Sequence, residues 1–516
     1  MAHSEENLIE CAQETDVGGP AYGGVFTPES NHFTTPVGLM DAGFDAKQVY
    51  FSLMQDEGPD ELALVRSRHY LAKQLRNVAS YRTDLPEQVA GLQAWSDANT
   101  RSVGTQYRHY LDTRKAGGDR LYFMNKAHAL YFLKRVAPTK LVDGSWLYGL
   151  LSRWQEPRFL PLIQTYLEEL GEGLPDKNHV VLYKKLLALH GCQQWSVLGD
   201  DYFVQGAIQL SLAEHAAHFL PEVIGYNLGY EQLPLHLLIT AYELNELGID
   251  PYYFTLHVTV DNAATGHATQ AIQGLRDALP SGADRDVFYR RVINGYKLNM
   301  PGASTNSVIS EFDLDAEFLE VLTAKAKVGA QLHSDYCRVG GKLVSEWLSE
   351  PARLPLFVQA LQKNGWIRRH ENPVHSRFWG LIQGEQAQMF GVFNAYEKQV
   401  IHDWIAGDCV DDPELKPRGF CAAQRLGSSA MAAAGDPGVH VDTHNDAIPD
   451  GAETSETPGS SSDFDADLQL LKSKLAGLQG QDAQMALLAR FMSPVQHHTR
   501  AGLWATRLFS RMLYEH

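Results

Sequence analysis

From Asp45 onward the apolar residues return every three or four positions, and that spacing commits the chain to helices rather than to sheet. ELALVRSRHYLAKQLRNVASY shows it best: Leu62, Leu64, Val65, Tyr70, Leu71 and Leu75 fall largely on one helical face. VYFSLM before it, and segments near 87–111 and 119–135, read the same way. Pro138 and Gly144 bracket an expected turn, and Trp146, Leu147, Leu150 and Leu151 suit a buried helix start that Asp143 would cap. Helical spacing resumes through Leu170 until Gly171 and Gly173 stop it. Asp176 or Asn178 caps the next helix, from about His179. Pro221 opens another helix, and Gly248-Ile-Asp-Pro251 is a stop. After the loop NMPGASTNS, helices are predicted over 315–329 and 331–348, then in RLPLFVQALQKNGWI and MFGVFNAYEKQVIHDWI.

The predicted organisation is a loose leader (1–40), an N-terminal helical extension (41–119), a core (120–300) and a C-terminal helical region (301–425). A flexible linker rich in Ser, Gly, Ala, Pro, Asp and Thr follows (426–465), then a helical tail (466–516) that docks back on the body. Composition narrows the function. Net charge is −18 and no run of five Lys/Arg occurs, which argues against nucleic acid and leaves room for an anionic substrate held by local arginines. The five cysteines, Cys11, Cys192, Cys337, Cys409 and Cys421, form no C-x-x-C pair and read as reduced thiols, hence a cytoplasmic protein. MAHSEENLIECAQE lacks the basic and apolar regions of a secretory signal. The longest apolar stretch, 233–241, is interrupted by His236 and is too short to span a membrane. There is no internal repeat, no G-x-x-x-x-G-K, no G-x-S-x-G and no H-E-x-x-H.

The chemistry concentrates in YYFTLHVTVDNAATGHA, residues 252–268. His257 and Asp261 are four apart, so a helix stacks them on one face, where an imidazole and a carboxylate can share a metal ion. Nitrogen and oxygen donors without thiolate suit iron(II), manganese or zinc. His267 lies six residues beyond Asp261, roughly 120° off that face on a straight helix, so its use as a ligand requires a break, for which Gly266 gives a reason. The plain alternative is a polar helix with a capped histidine. Glu169 ends one predicted helix and His179 begins the next, so a tight turn can bring both to one point; Glu168 and Glu172 compete with Glu169. Glu222 sits among Phe219, Leu220, Val223 and Ile224, a setting that demands a partner for a carboxylate, with Glu231 as the second candidate. For Asp143 the capping role is preferred to a metal role, and His333 reads as solvent-facing or capped.

In this order, Glu169-(x)9-His179, Glu222, His257-x-x-x-Asp261 and a further histidine resemble the heme-oxygenase-like diiron oxidases, a family of iron-containing redox enzymes. KLVDGSWLYG, PEVIGYNLGYE, YFTLHVTVDNAATGH and MFGVFNAYEKQVI resemble one long-chain branch of it. The likeness at the metal site covers about 120–300, and the flanking phrases extend it to about 405. It implies an all-α, heme-oxygenase-like helical bundle that binds two Fe(II) ions rather than heme, with O2 as co-substrate. The implied metal ligands are Glu169, His179, Glu222, His257, Asp261 and His267. The family's usual H-x-x-x-D-x-x-H places its third ligand at Ala264, whereas His267 stands three residues later, and the family's additional early carboxylate has Asp143 as a loose counterpart. The implied activity is a biosynthetic oxidase or oxygenase acting on a small organic substrate such as an amine or amino-acid derivative; an external reductant and a homodimer fit the same picture. Tyr226, Asn227 and Asn262 are the expected outer partners of the histidines. Two other readings use the same residues: a mononuclear metal enzyme or hydrolase, and a metal-free helical scaffold that binds a partner or small molecule.

Overall fold

Asp45 and Asp60 each turn a carboxylate oxygen onto the backbone of the first turn that follows, and two helices start there, α1 (Ala46–Leu53) and α2 (Glu61–Val78). α3 (Leu92–Lys115) follows, and Asn125 caps α4 (Lys126–Lys140) in the same way. The computed structural model describes residues 45–260, 266–333, 336–409 and 465–515. The expected leader 1–40, the expected linker 426–465 apart from Asp465, and Asp261, Asn262 and Ala264 lie outside the described residues.

The middle of the chain runs through α5 (Leu160–Glu169), α6 (His179–Leu189), α7 (Val204–Glu214) and α8 (Leu220–Tyr230). It continues with α9 (Leu235–Glu246), α10 (Tyr252–Val260), α11 (His267–Ala278) and α12 (Asp284–Lys297). Beyond lie α13 (Thr305–Ser310), α14 (Leu314–Leu332), α15 (Val344–Leu348), α16 (Leu354–Lys363), α17 (Arg377–Ile382) and α18 (Ala395–Ala406). The tail forms α19 (Ala466–Ala476), α20 (Gln481–Phe491) and α21 (Arg500–Tyr514). The fold is all-α. Among the described residues the only sheet is a two-residue antiparallel pair, β1 (Arg338–Val339) with β2 (Lys342–Leu343). No helix among the described residues is long and apolar enough to cross a membrane.

Three local expectations are corrected. The helix predicted over 331–348 is split by the β1–β2 hairpin, because Gly340 and Gly341 both take positive φ (59° and 83°) and make a tight two-residue turn. Pro138 lies inside α4 rather than at a turn, and its missing N–H falls in the last turn, where the helix is ending anyway. Asp143 caps nothing: the 3₁₀ segment Ser145–Arg153 that follows has no side-chain cap and is opened instead by Gly144 in the left-handed conformation.

The buried side chains form two apolar clusters. One collects α4, α6, α9, α10 and the α14–α18 region around residues such as Tyr183, Ile239, Phe254 and Val400. The other collects α1, α2, α5, α7, α8, α11, α12 and the tail around Trp146, Tyr166, Ile208 and Phe509. Leu141 belongs to the first cluster and Val142 to the second, so Asp143 stands where the two meet. Burial of this much apolar surface is the main force that closes the helices around that seam.

Candidate metal centre

Several helix ends converge on the seam. Glu169 is the last residue of α5 and His179 the first of α6. Glu231 follows the last residue of α8, and His267 is the first of α11. His257 projects from α10, whose last residue is Val260, and the new helix starts only after an extended Gly266 (φ −88°, ψ −168°). The break expected between His257 and His267 is therefore present, and it puts the two imidazoles on separate helices.

Two groups result, each with one donor atom per residue and all donors within 4.8 Å of one another. Asp143, Glu169, His179 and His257 make the first; Glu169, Glu231 and His267 make the second. All six residues are buried. Glu169 belongs to both, with Oε2 lying 2.6 Å from His179 Nδ1 and Oε1 3.4 Å from His267 Nδ1.

The donor atoms face one another as acceptors. His257 Nδ1 is 2.7 Å from the Tyr253 carbonyl, which can only accept, so that nitrogen carries the proton. Its Nε2 lone pair then points at Asp143 Oδ2, 3.0 Å away. His267 lies between two carboxylates, with Nε2 2.7 Å from Glu168 Oε2 and Nδ1 3.0 Å from Glu231 Oε2. Glu169 Oε2 and His179 Nδ1 are close but not aligned as a hydrogen bond, and among the described residues neither atom has a hydrogen-bond partner. Carboxylates and imidazoles aimed at common points, with the outer ring nitrogens of His257 and His267 held by a carbonyl and a carboxylate, is how metal-binding histidines are held. The donors are N and O only, the set that suits iron(II), manganese or zinc. The residues therefore fit a bound metal.

Asp143 is fixed by two tyrosines. Tyr230 donates to Oδ1 and Tyr253 to Oδ2, each at 2.6 Å, and Lys140 Nζ donates to the Tyr230 hydroxyl at 2.9 Å. Burial works against the Asp143 charge, but Lys140 and the neighbouring His257 and His179 imidazoles outweigh it and hold the carboxyl well below the usual range. Burial, reinforced by the Asp143 charge, pushes both tyrosines well above theirs, so they stay protonated donors. Burial likewise opposes charge on His179, yet Glu169 and Asp143 prevail and raise its pKa. In the metal-free protein a proton thus does part of the work of a cation.

Gly144 makes room for Glu169. A Cβ there would lie 2.7 Å from the Glu169 Cβ, and φ is +76°, so a side chain at this position would displace Glu169.

Among the sequence candidates, Glu169, His179, His257 and His267 are brought together. Asp261 lies outside the described residues. Glu222 is not brought to the cluster: Arg291 on α12 takes both its oxygens, Nε to Oε1 and Nη2 to Oε2, each at 2.7 Å. The partner its apolar setting demanded is a guanidinium, and the carboxylate delivered by α8 is Glu231 at the helix's other end. Glu168 serves as the outer partner of His267 rather than as a rival to Glu169. Tyr226 and Asn227 do not touch the histidines; Asn227 accepts from Trp146, and Tyr226 bonds Gln205 and Gln209.

Residues 130–292 match the family described as iron-containing redox enzyme, a heme-oxygenase-like, all-α family, and all six clustered residues fall within that match. The match supports an iron-dependent redox function for this segment. No curated protein and no solved structure matches the chain.

Proposed function

We propose that the protein is a non-heme diiron oxidase or oxygenase that activates O2 to oxidise a small organic substrate, drawing on an external reductant. The observation that carries this reading is the sharing of Glu169. One buried carboxylate turns an oxygen to each of two ligand groups, an arrangement suited to bridging a pair of ions. Three buried carboxylates, Asp143, Glu169 and Glu231, against three imidazoles leave an excess of negative charge, and two divalent cations would offset it.

In this reading Asp143, His179 and His257 would hold one ion and Glu231 and His267 the other, with Glu169 available to both. Two ferrous ions, when bound, supply electrons for O2 activation. The chain's own residues set the conditions. The Tyr253 carbonyl fixes the tautomer of His257, so its Nε2 presents a lone pair, and Glu168 orients the His267 ring from its far nitrogen. The apolar clusters on both sides of the seam exclude bulk water, which strengthens every charge interaction within. Lys140 and Tyr230, both half-buried, form a hydrogen-bonded row that ends on Asp143 and offers a proton route from outside to the cluster.

Anaerobic Fe(II) titration tests the reading. It expects two equivalents of iron per chain and O2 consumption on mixing the loaded protein with oxygenated buffer. One equivalent would favour a mononuclear enzyme, and none a metal-free scaffold.

A further inference from the structure

The chain returns to the metal centre through a segment that lies well beyond the matched region. The Tyr166 hydroxyl, on the helix that carries Glu168 and Glu169, donates to the Met492 carbonyl at 2.6 Å. Asn178, fully buried, uses its whole amide. Its Oδ1 accepts from Val181 N at 3.0 Å and so caps α6. Its Nδ2 donates to the Leu170 carbonyl and to His497 Nδ1, each at 3.1 Å. Leu170 follows Glu169 and Asn178 precedes His179, so one side chain ties together the two ends of the turn that separates these residues. The tail also meets the turn backbone to backbone: at Gly173 (φ +81°) a Cβ would lie 2.3 Å from the Leu503 carbonyl.

His497 is 2% exposed. Because the Asn178 amide nitrogen donates, Nδ1 of His497 must accept. Burial, with His498, Lys184 and His179 nearby, keeps the ring neutral by holding its pKa well down. Removing the acceptor leaves a buried amide N–H unpaired, and rotating the amide to satisfy it would break the cap on Val181.

We propose that His497 is a positioning residue of the metal centre: by fixing the Asn178 amide it sets the spacing between Glu169 and His179. The proposal rests on the diiron reading above and makes the C-terminal helices part of the site rather than an appendage. A buried histidine that merely fills space would be replaceable by any ring of similar size.

The test uses the full chain with His497→Phe, His497→Asn and Asn178→Ser, the last keeping a good helix cap while dropping the amide bridge. Helicity is followed by circular dichroism, Co(II) binding by its visible absorption, and amide exchange over residues 170–181 in the metal-free protein. His497→Phe and Asn178→Ser should stay helical, weaken Co(II) binding about 10–100-fold and speed amide exchange in that turn. His497→Asn, whose amide oxygen can stand in for Nδ1, should recover most of the affinity. Wild-type affinity in a folded His497→Phe overturns the proposal, as does a folded His497→Asn that binds no better than His497→Phe. Wild-type protein that takes up no Co(II) and no Fe(II) overturns the diiron reading, and this proposal with it.

Discussion

Glu169→Ala separates a shared ligand from one that serves a single ion. The Glu169 carboxylate lies 2.6 Å from His179 Nδ1 on one side and 3.4 Å from His267 Nδ1 on the other, so its loss should weaken both ions. The magnitude follows from linkage. With free Fe(II) at a hundred times its Kd, each site stabilises the fold by about 2.7 kcal/mol, and two independent sites by about twice that. For a chain of this size that is a rise in Tm of roughly 5 °C. Losing one ligand lowers affinity about 10–100-fold. At the same iron concentration about 1.4 to 0.4 kcal/mol then remains per site. The iron-dependent rise in Tm should fall to between about a half and a seventh of the wild-type value.

The assay is thermal unfolding of wild type and variant under nitrogen, each with and without Fe(II). Comparing each protein with its own metal-free form cancels the cost of the cavity left by Glu169, which is buried. Bound iron counted after gel filtration gives the stoichiometry directly. A variant that keeps one tight equivalent and half the wild-type rise would show that Glu169 serves one ion only. A variant with the full rise would remove it from the site.

Further outcomes are expected. His267→Ala should lower bound iron from about two to about one, while His257→Ala should lose most metal and all O2 consumption; iron titration with an oxygen electrode decides both. Glu222→Gln should keep two irons and normal turnover yet cost about 1–2 kcal/mol in urea unfolding, since its partner is the half-exposed Arg291; loss of iron would return Glu222 to the ligand set. The metal-free protein should lose stability as pH falls from about 6.5 towards 4. Burial, opposed only by a bond to the Ile309 carbonyl, drives His128 from 6.5 to about 4, and His215 is driven equally low. The unfolded chain therefore takes up protons first as pH falls; each such histidine is worth up to about 3 kcal/mol, fully present above 6.5 and lost as pH passes through the folded value. A flat urea midpoint between pH 7 and 4.5 would contradict this.

The helical class and the local punctuation of the site were legible because they depend on neighbours in sequence. The Asn178 cap, the glycine stop after Glu169 and the break before His267 all follow from residues within a few positions. Glu222 misled for the opposite reason. Its apolar neighbours correctly signalled a carboxylate in need of a partner, but that partner, Arg291, stands 69 residues away on another helix. Glu222 and Glu231 are nine residues apart, which is about half a revolution on a helix, so only one of them could face the seam, and the local sequence gives no sign which.

Asp143 shows the deeper limit. In KLVDGSWLYG an aspartate before a glycine and a buried helical start reads as a cap, because capping is the commonest use of that pattern. What removes it from that role lies far off in the chain. Tyr230 and Tyr253 each spend a hydroxyl on its two oxygens, and His257 turns a lone pair towards it. Gly144 then does something no turn requires: by lacking a Cβ it lets Glu169 close to van der Waals range behind Asp143. A glycine that serves a turn should tolerate any residue able to adopt positive φ, whereas one that serves a close approach excludes every side chain. Asn suits the left-handed backbone better than other non-glycine residues, so Gly144→Asn separates the two roles. If the turn is the constraint, the asparagine variant keeps its iron. The 2.7 Å contact with the Glu169 Cβ says that it does not.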